Sequence, residues 1–243
     1  MNRLSGALFI SRKDIQSYYA KPPLITWGLL FPAVLVLAVY VRDPATYLAV
    51  APGLLAMTLL FGSTSMAAIV VTFEKRSGTL QRLLIAPITH RTILLGKATS
   101  AAAFGLATSL VLTTGLGLCL GMPVARPGVF AAGLVLGSAA FSLLGLIASV
   151  IVREVFEAMT LMNLFRFPLL FISGVFVPVG DLPAWLQVVA LCSPLTYVVE
   201  LLRFGLVGRS YFPSSWVPGL VLIGFVAGAW WVSGPVFRRG ARR

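Results

Sequence analysis

Four long stretches of this chain, residues 44–73, 98–125, 127–152 and 210–237, contain no Asp, Glu, Lys, Arg or His. About 20 apolar residues suffice for a helix to cross a bilayer's hydrocarbon layer. In that layer each backbone amide must be paired internally, so only helices or closed barrels span it. Barrel strands would show short alternating runs, and these stretches do not alternate. Charged residues make up 11% of the 243, where a soluble domain carries roughly 25%. A soluble protein with unusually apolar helices is therefore excluded.

The pattern predicts an all-α polytopic membrane protein, residues 1–243 forming one membrane domain with six spans. They are residues 24–40 with Pro32 inside, 51–73, 98–122, 129–152, 158–179 with a kink at Pro168, and 216–237. Before them, Leu4, Leu8, Ile15 and Tyr18 recur at helical spacing opposite Arg12 and Lys13, as in an amphipathic helix lying along the inner membrane surface. That segment, 1–23, ends at Pro22-Pro23, which break a helix. No small-residue cleavage pattern follows its basic stretch, so it does not read as a secretory signal.

Residues 181–213 are apolar, but Pro183 and Ser193-Pro194 cut them into pieces too short to cross. Two short interfacial or re-entrant helices at the outer face are expected, with Ser193 as cap, Pro194 in the first turn, and Glu200 pairing with Arg203 on one helix face.

With the N-terminus inside, the inner segments hold fourteen Lys and Arg and the outer segments four, Arg42, Arg126, Arg203 and Arg209. Basic residues accumulate on the cytoplasmic side, so both termini are placed in the cytoplasm. The net charge of +12 follows from that bias and needs no nucleic-acid partner.

Five of the six spans contain no Asp, Glu, Lys, Arg or His. Ion-coupled transporters place such groups or broken helices near mid-membrane, and embedded enzymes need a nucleophile with a base, or a metal. Neither set can be assembled here, and two cysteines without a CxxC or His/Cys cluster signal no metal site. No catalytic residues, metal or cofactor are expected. His90, the sole histidine, reads as a solvated loop residue beside Arg91. Gly96-Lys97-Ala98-Thr99 lacks the spaced glycine and the Ser/Thr of a P-loop. Energy for uphill movement would have to come through a partner.

The one dense block of charge lies at residues 74–97. Ser77 is placed to cap a short helix that Pro87 ends, and Leu80, Leu83 and Leu84 form one stripe edged by Lys75, Arg76, Gln81 and Arg82. A second helix is expected from near Thr89 into the third span. By pattern alone this is either a docking surface for a cytoplasmic partner or a solvated loop whose leucines rest on the bilayer.

Glu74-Lys75-Arg76-x-Gly78-Thr79-Leu80-x-Arg82-Leu83-Leu84-x-x-Pro87, followed by Ile93-Leu94-Leu95-Gly96-Lys97, resembles the segment after span two in type-2 ATP-binding-cassette (ABC) exporter permeases. A second match supports it. Phe167-Pro168-Leu169-Leu170-Phe171-Ile172-Ser173-Gly174-Val175-Phe176-x-Pro178, then Leu182-Pro183-x-Trp185-Leu186 and Ser193-Pro194-Leu195-Thr196-Tyr197, resembles that family's end of span five and outer re-entrant region.

The resemblance implies a permease subunit that pairs with a second copy or a close relative above two cytoplasmic ATPase subunits, which bind the ATP and magnesium. It implies that Glu74, Arg76, Gly78, Thr79, Leu80, Arg82, Leu83, Leu84 and Pro87 belong to a coupling helix seated on the ATPase. The N-terminal helix becomes a connecting helix touching the same subunit. The substrate path is implied at the dimer interface, along spans one, two and five. The cargo is a hydrophobic or amphipathic compound, such as a drug-like molecule, a lipid or a lipid-linked glycan.

Phe61, Thr64, Phe165, Arg166, Phe171 and Phe176 are candidates to line that path. Core packing explains the aromatics equally well. Arg166 either snorkels to the inner interface or faces a cavity and meets an anionic group. The small residues Gly62, Ser63, Thr64 and Ser65 suit a seam between two copies. Cys119 and Cys192 either pair or pack as small apolar side chains. Membrane scaffold or lipid-binding protein, and ion-coupled secondary transporter, are the competing functions.

Overall fold

The computed structural model describes residues 3–19, 25–43, 47–85, 88–152, 154–212, 214 and 216–240. Among them are ten α-helices and no strand: α1 (Arg3–Tyr18), α2 (Phe31–Arg42), α3 (Tyr47–Arg76), α4 (Thr79–Ile85), α5 (His90–Leu120), α6 (Pro127–Ile151), α7 (Val155–Ile172), α8 (Ala184–Leu191), α9 (Pro194–Val207) and α10 (Val217–Gly240). Five of these, α3, α5, α6, α7 and α10, are long and apolar enough to cross a membrane. The expected breaks at Pro22-Pro23 and at Pro87 lie outside the described residues.

The first expected span is helical too, with a defect. A π-helical turn, Thr26–Leu30, runs directly into α2, and the Phe31 amide bonds the Thr26 carbonyl five residues back. Pro32 supplies the cause. Its ring would crowd the carbonyl four residues before it and it has no N–H to give, and a wider turn relieves that crowding. The unbroken helical run from residue 25 to 42 is roughly 27 Å long at 1.5 Å per residue.

Around α3 most of the other helices assemble, while α10 packs on α6, α9 and α5. The apolar window of α3 is completely buried, and α2, α5, α6, α7 and α9 all pack on it. Small residues permit this. A Cβ on Gly62 would lie 2.8 Å from the Thr108 hydroxyl and 3.1 Å from the Gly105 Cα, and one on Gly145 would lie 2.6 Å from the Thr64 carbonyl oxygen. Without a hydrophobic drive between helices in lipid, such close backbone approach is what holds spans together. The Gly62–Ser65 stretch is thereby consumed inside the chain, against α5 and α6, and is no seam between copies.

The N-terminal helix docks by the same device. Gly96 of α5 faces α1 so closely that a Cβ there would sit 2.8 Å from the Ile10 Cβ and 2.9 Å from the Ala7 carbonyl. Its buried face is Ala7, Ile10, Ser11, Asp14 and Tyr18, while Leu8 and Phe9 point out. The expected apolar stripe therefore splits: Tyr18 turns inward and Leu8 outward, because Asp14 takes the inward position for an electrostatic reason described below.

At the other end of α3, the Tyr47 hydroxyl donates to the Leu120 carbonyl at 2.9 Å, and Gly53 leaves room for the backbone of Val175. Here α8 and α9 meet at 88°. Ser193 caps α9 by accepting from the Leu195 amide, with Pro194 in the first turn, and its hydroxyl accepts from Ser173 at 2.8 Å. Glu200 pairs with Arg203, which also donates to the Gly174 carbonyl at 3.0 Å; the second Glu200 oxygen accepts from the Tyr211 amide at 3.0 Å. Cys119 and Cys192 are free and both exposed, so neither pairing nor core packing describes them.

Candidate functional site

The turn between α3 and α5 is built from the end of one span and the start of the next. Gly78, at φ +73°, makes the reversal that an L side chain would resist. The helix that follows begins at Thr79, beyond the position Ser77 would cap; Ser77 bonds the Glu74 carbonyl and the Thr79 hydroxyl instead. Thr89 caps α5 by accepting from the Thr92 amide, and His90 opens that helix, half-buried, rather than lying in a solvated loop.

The leucine stripe of α4 faces inward. Leu80 is buried among Ile10, Tyr18, Val70 and Ile93, and Leu83 and Leu84 rest half-buried on the same cluster. What α4 shows to the outside is Gln81, Arg82 and Ile85, the last 83% exposed, continuous with Arg76 and Ser77. Gly78 and Thr79 are half-buried at the turn, and Pro87 lies outside the described residues. The exposed apolar side chain of α4 is thus Ile85, which a search for an i, i+3, i+4 stripe passes over.

Beneath the turn lies a four-charge cluster that sequence reasoning missed. Lys97 of α5 reaches both Asp14 oxygens, at 2.9 and 2.8 Å, and also Glu74; Lys13 pairs with Glu74 and stands 3.3 Å from Asp14. Asp14, Glu74 and Lys97 are almost completely buried, while Lys13 keeps a partly exposed side chain. Two cations against two carboxylates leave the cluster neutral, the condition for burying such groups at all.

Burial pushes the Asp14 carboxyl above its ordinary value, against the pull of Lys97. For Lys13 burial works the other way, and the carboxylates of Glu74 and Asp14 overcome it to raise the ammonium. Tyr19 closes the site, donating to the Ser100 carbonyl at 3.0 Å and stacking edge-on against Phe104, with its phenol raised by burial. The available signal was slight: Asp14 is the sole carboxylate before residue 43, and Glu74 and Lys97 border charge-free runs.

Lys75 donates to the Val152 carbonyl at 3.1 Å and the Ser149 carbonyl at 3.4 Å. It so satisfies the end of α6, where carbonyls lack partners and a cation is favoured. Arg76 stands 3.6 Å from Glu154, both well exposed; such a pair contributes little.

Deeper along α3, Arg166 is 3% exposed. It donates to the Thr64 hydroxyl, reaches Asn163 Oδ1 at 3.2 Å and lies 4.8 Å over the Phe61 ring. It does not snorkel. Its Nε makes no hydrogen bond, and Phe61 packs between Phe31 and Phe167. Phe165 and Phe171 instead point out of the chain, with Phe176 half-buried 5.6 Å from Phe171. The six candidates fall into a buried trio, Phe61, Thr64 and Arg166, and an aromatic set on the outer face of α7 and the loop after it.

The sequence family described as ABC-2 type transporter matches residues 7–207. The chain is 30% identical over 173 residues to ycf38 of Cyanophora paradoxa, whose name describes a transport permease, covering 68% of this chain and 56% of that protein. It is 28% identical over 180 residues to the inner membrane transport permease YadH of Escherichia coli K12, covering 73% and 70%. With YbhR of the same bacterium, whose name describes a multidrug ABC transporter permease, identity is 27% over 156 residues, covering 63% and 42%. The matched part thus spans about half the length of ycf38 and less than half of YbhR.

Proposed function

We propose that this chain, which belongs to the ABC-2 type transporter family and is a membrane permease subunit of it, forms half of an exporter's substrate path and is moved by cytoplasmic ATPase subunits gripping its α3–α5 turn. One observation carries this. The exposed residues Gln81, Arg82 and Ile85, continued by Arg76 at the end of α3, sit on a helix whose inward side is fastened to the ends of two spans. A push on α4 is therefore delivered to α3 and α5 together, and through Asp14 to α1.

The chain's parts divide the work. Arg76 and Arg82 meet acidic groups on the ATPase and Ile85 supplies the apolar contact. Leu80, Leu83 and Leu84 hold α4 to the permease. Glu74 acts from inside, locking the turn to Lys97 and Lys13. ATP binding closes the ATPase pair, the coupling turns move as rigid bodies, and the permease pair switches between two arrangements; hydrolysis resets it. Both termini lie in the cytoplasm, where the Lys and Arg bias puts them.

The partner across the substrate path is a second copy or a close relative, meeting the outward aromatics Phe165 and Phe171. The cargo is hydrophobic or amphipathic, a class that includes the drug-like compounds to which YbhR's name refers. Arg166, held buried on Thr64, is assigned to the path as a cation. A buried arginine in a span is costly and is retained for function by default, so Arg166→Leu should abolish any preference for anionic over neutral cargo. Unaltered transport of both would remove Arg166 from the path.

The decisive experiment is co-purification in mild detergent from cells expressing the ATPase partner. Wild type should carry a stoichiometric ATPase, and Arg82→Glu should lose it and transport while keeping the same unfolding midpoint. Retained association and transport in Arg82→Glu would end that residue's role. Accumulation driven into vesicles by the isolated chain, with no nucleotide-hydrolysing subunit present, would end the whole reading.

A further inference from the structure

Two cavities meet at one tryptophan, beside α10. The first, about 760 Å³, opens where α5 begins and α10 ends, among Thr89, His90, Arg91, Trp230, Trp231 and Phe237. The second, about 410 Å³, runs between α5, α6 and α10, among Ala98, Ala102, Ala139, Leu143, Ile223 and Trp230. Trp230 lines both. They differ in chemistry. The first holds an arginine and a histidine in the opening turn of a 31-residue helix, with no carboxylate among the described residues lining it. The positive end of the helix dipole adds to that potential. The second is almost wholly apolar, its polar groups being the Thr99 and Ser142 hydroxyls, which bond back to their own helix.

The order along the helices is what a membrane lipid requires. From His90 to Ala102 the lining climbs α5 by twelve residues, about 18 Å at 1.5 Å each. Half of a roughly 30 Å hydrocarbon layer is about 15 Å. A cationic basin thus stands at the end of the spans, an apolar groove one leaflet deep leads from it, and two tryptophans mark the boundary where amphipathic rings settle.

We propose that this composite groove is a binding site for one resident anionic glycerophospholipid of the leaflet at the α4 end, its phosphate on Arg91 and His90 and an acyl chain between α5, α6 and α10. Charge complementarity selects the headgroup, since basic pockets between spans on that side hold acidic lipids. The lipid wedges α5 against α10, next to the span end that carries Lys97. This goes beyond the transport role and does not depend on it.

The test uses the full chain in mild detergent, titrated with phosphatidylglycerol or phosphatidylcholine of equal chain length and read by native mass spectrometry. One phosphatidylglycerol per chain should be retained with about five-fold preference, the worth of the one Arg91 contact. His90→Gln with Arg91→Gln should bring the two lipids to parity. Ala139→Phe, which fills the groove and leaves the basin, should lower retention of both. Equal retention of the two lipids by wild type overturns the proposal, as does unchanged binding in both variants. A disulfide between two copies bearing Ile223→Cys, with Cys119 and Cys192 replaced by Ser, would put a second chain in the groove and overturn it equally.

Discussion

Asp14 holds three helices in one place. Its two oxygens take Lys97, while Glu74 shares Lys97 and takes Lys13. One Glu74 oxygen lies within ion-pair reach of Lys97 without an aligned hydrogen bond, so charge matters more there than direction. Removing a single member strands a buried ion, which costs about 3–5 kcal/mol, whereas replacing a matched pair by apolar groups is often neutral. Asp14→Ala should therefore lower the unfolding midpoint far more than Asp14→Ala combined with Lys97→Met. If the double variant is the less stable of the two, the cluster is not held as described. Neither charge advertises this locally: Asp14 and Lys97 are 83 residues apart.

Elements in this chain meet through missing side chains more than through large ones. The α1–α5 contact depends on Gly96, which no Cβ can replace without moving Ile10 or the Ala7 backbone. Overpacking of this kind costs typically about 1–3 kcal/mol. Gly96→Leu should lift α1 from α5, seen as faster amide hydrogen exchange across residues 7–18 with α6 and α9 unchanged. Protection of α1 equal to wild type would show that it docks by another surface. Local grammar placed some element ends correctly: Thr89 starts α5 and Ser193-Pro194 divides α8 from α9. It placed faces poorly, because Leu80, Leu83 and Leu84 form the same stripe whether they seek a partner or their own core.

For the molecule as a whole, α3 is the axis and its two ends are fastened differently, by four charges at the Glu74 end and by the Tyr47–Leu120 hydrogen bond and the close approach of Gly53 to Val175 at the other. The bias of Lys and Arg is the ground for our proposal that the Glu74 end faces the cytoplasm. With Cys119 and Cys192 replaced by Ser, Arg82→Cys should react with a membrane-impermeant maleimide in inside-out vesicles and not in intact cells; labelling of intact cells would invert the topology. The charge-free runs by themselves determined that this chain crosses a membrane as helices, because the cost of an unpaired amide or a charge in hydrocarbon acts on each segment separately and can be read locally. Which helix stands at the centre, that Gly62 and Ser63 serve the chain's own interior, and that Asp14 meets Lys97 or Arg166 meets Thr64 were decided only in three dimensions. Those outcomes depend on distances between residues far apart in order, and on which surfaces can approach most closely once the spans pack.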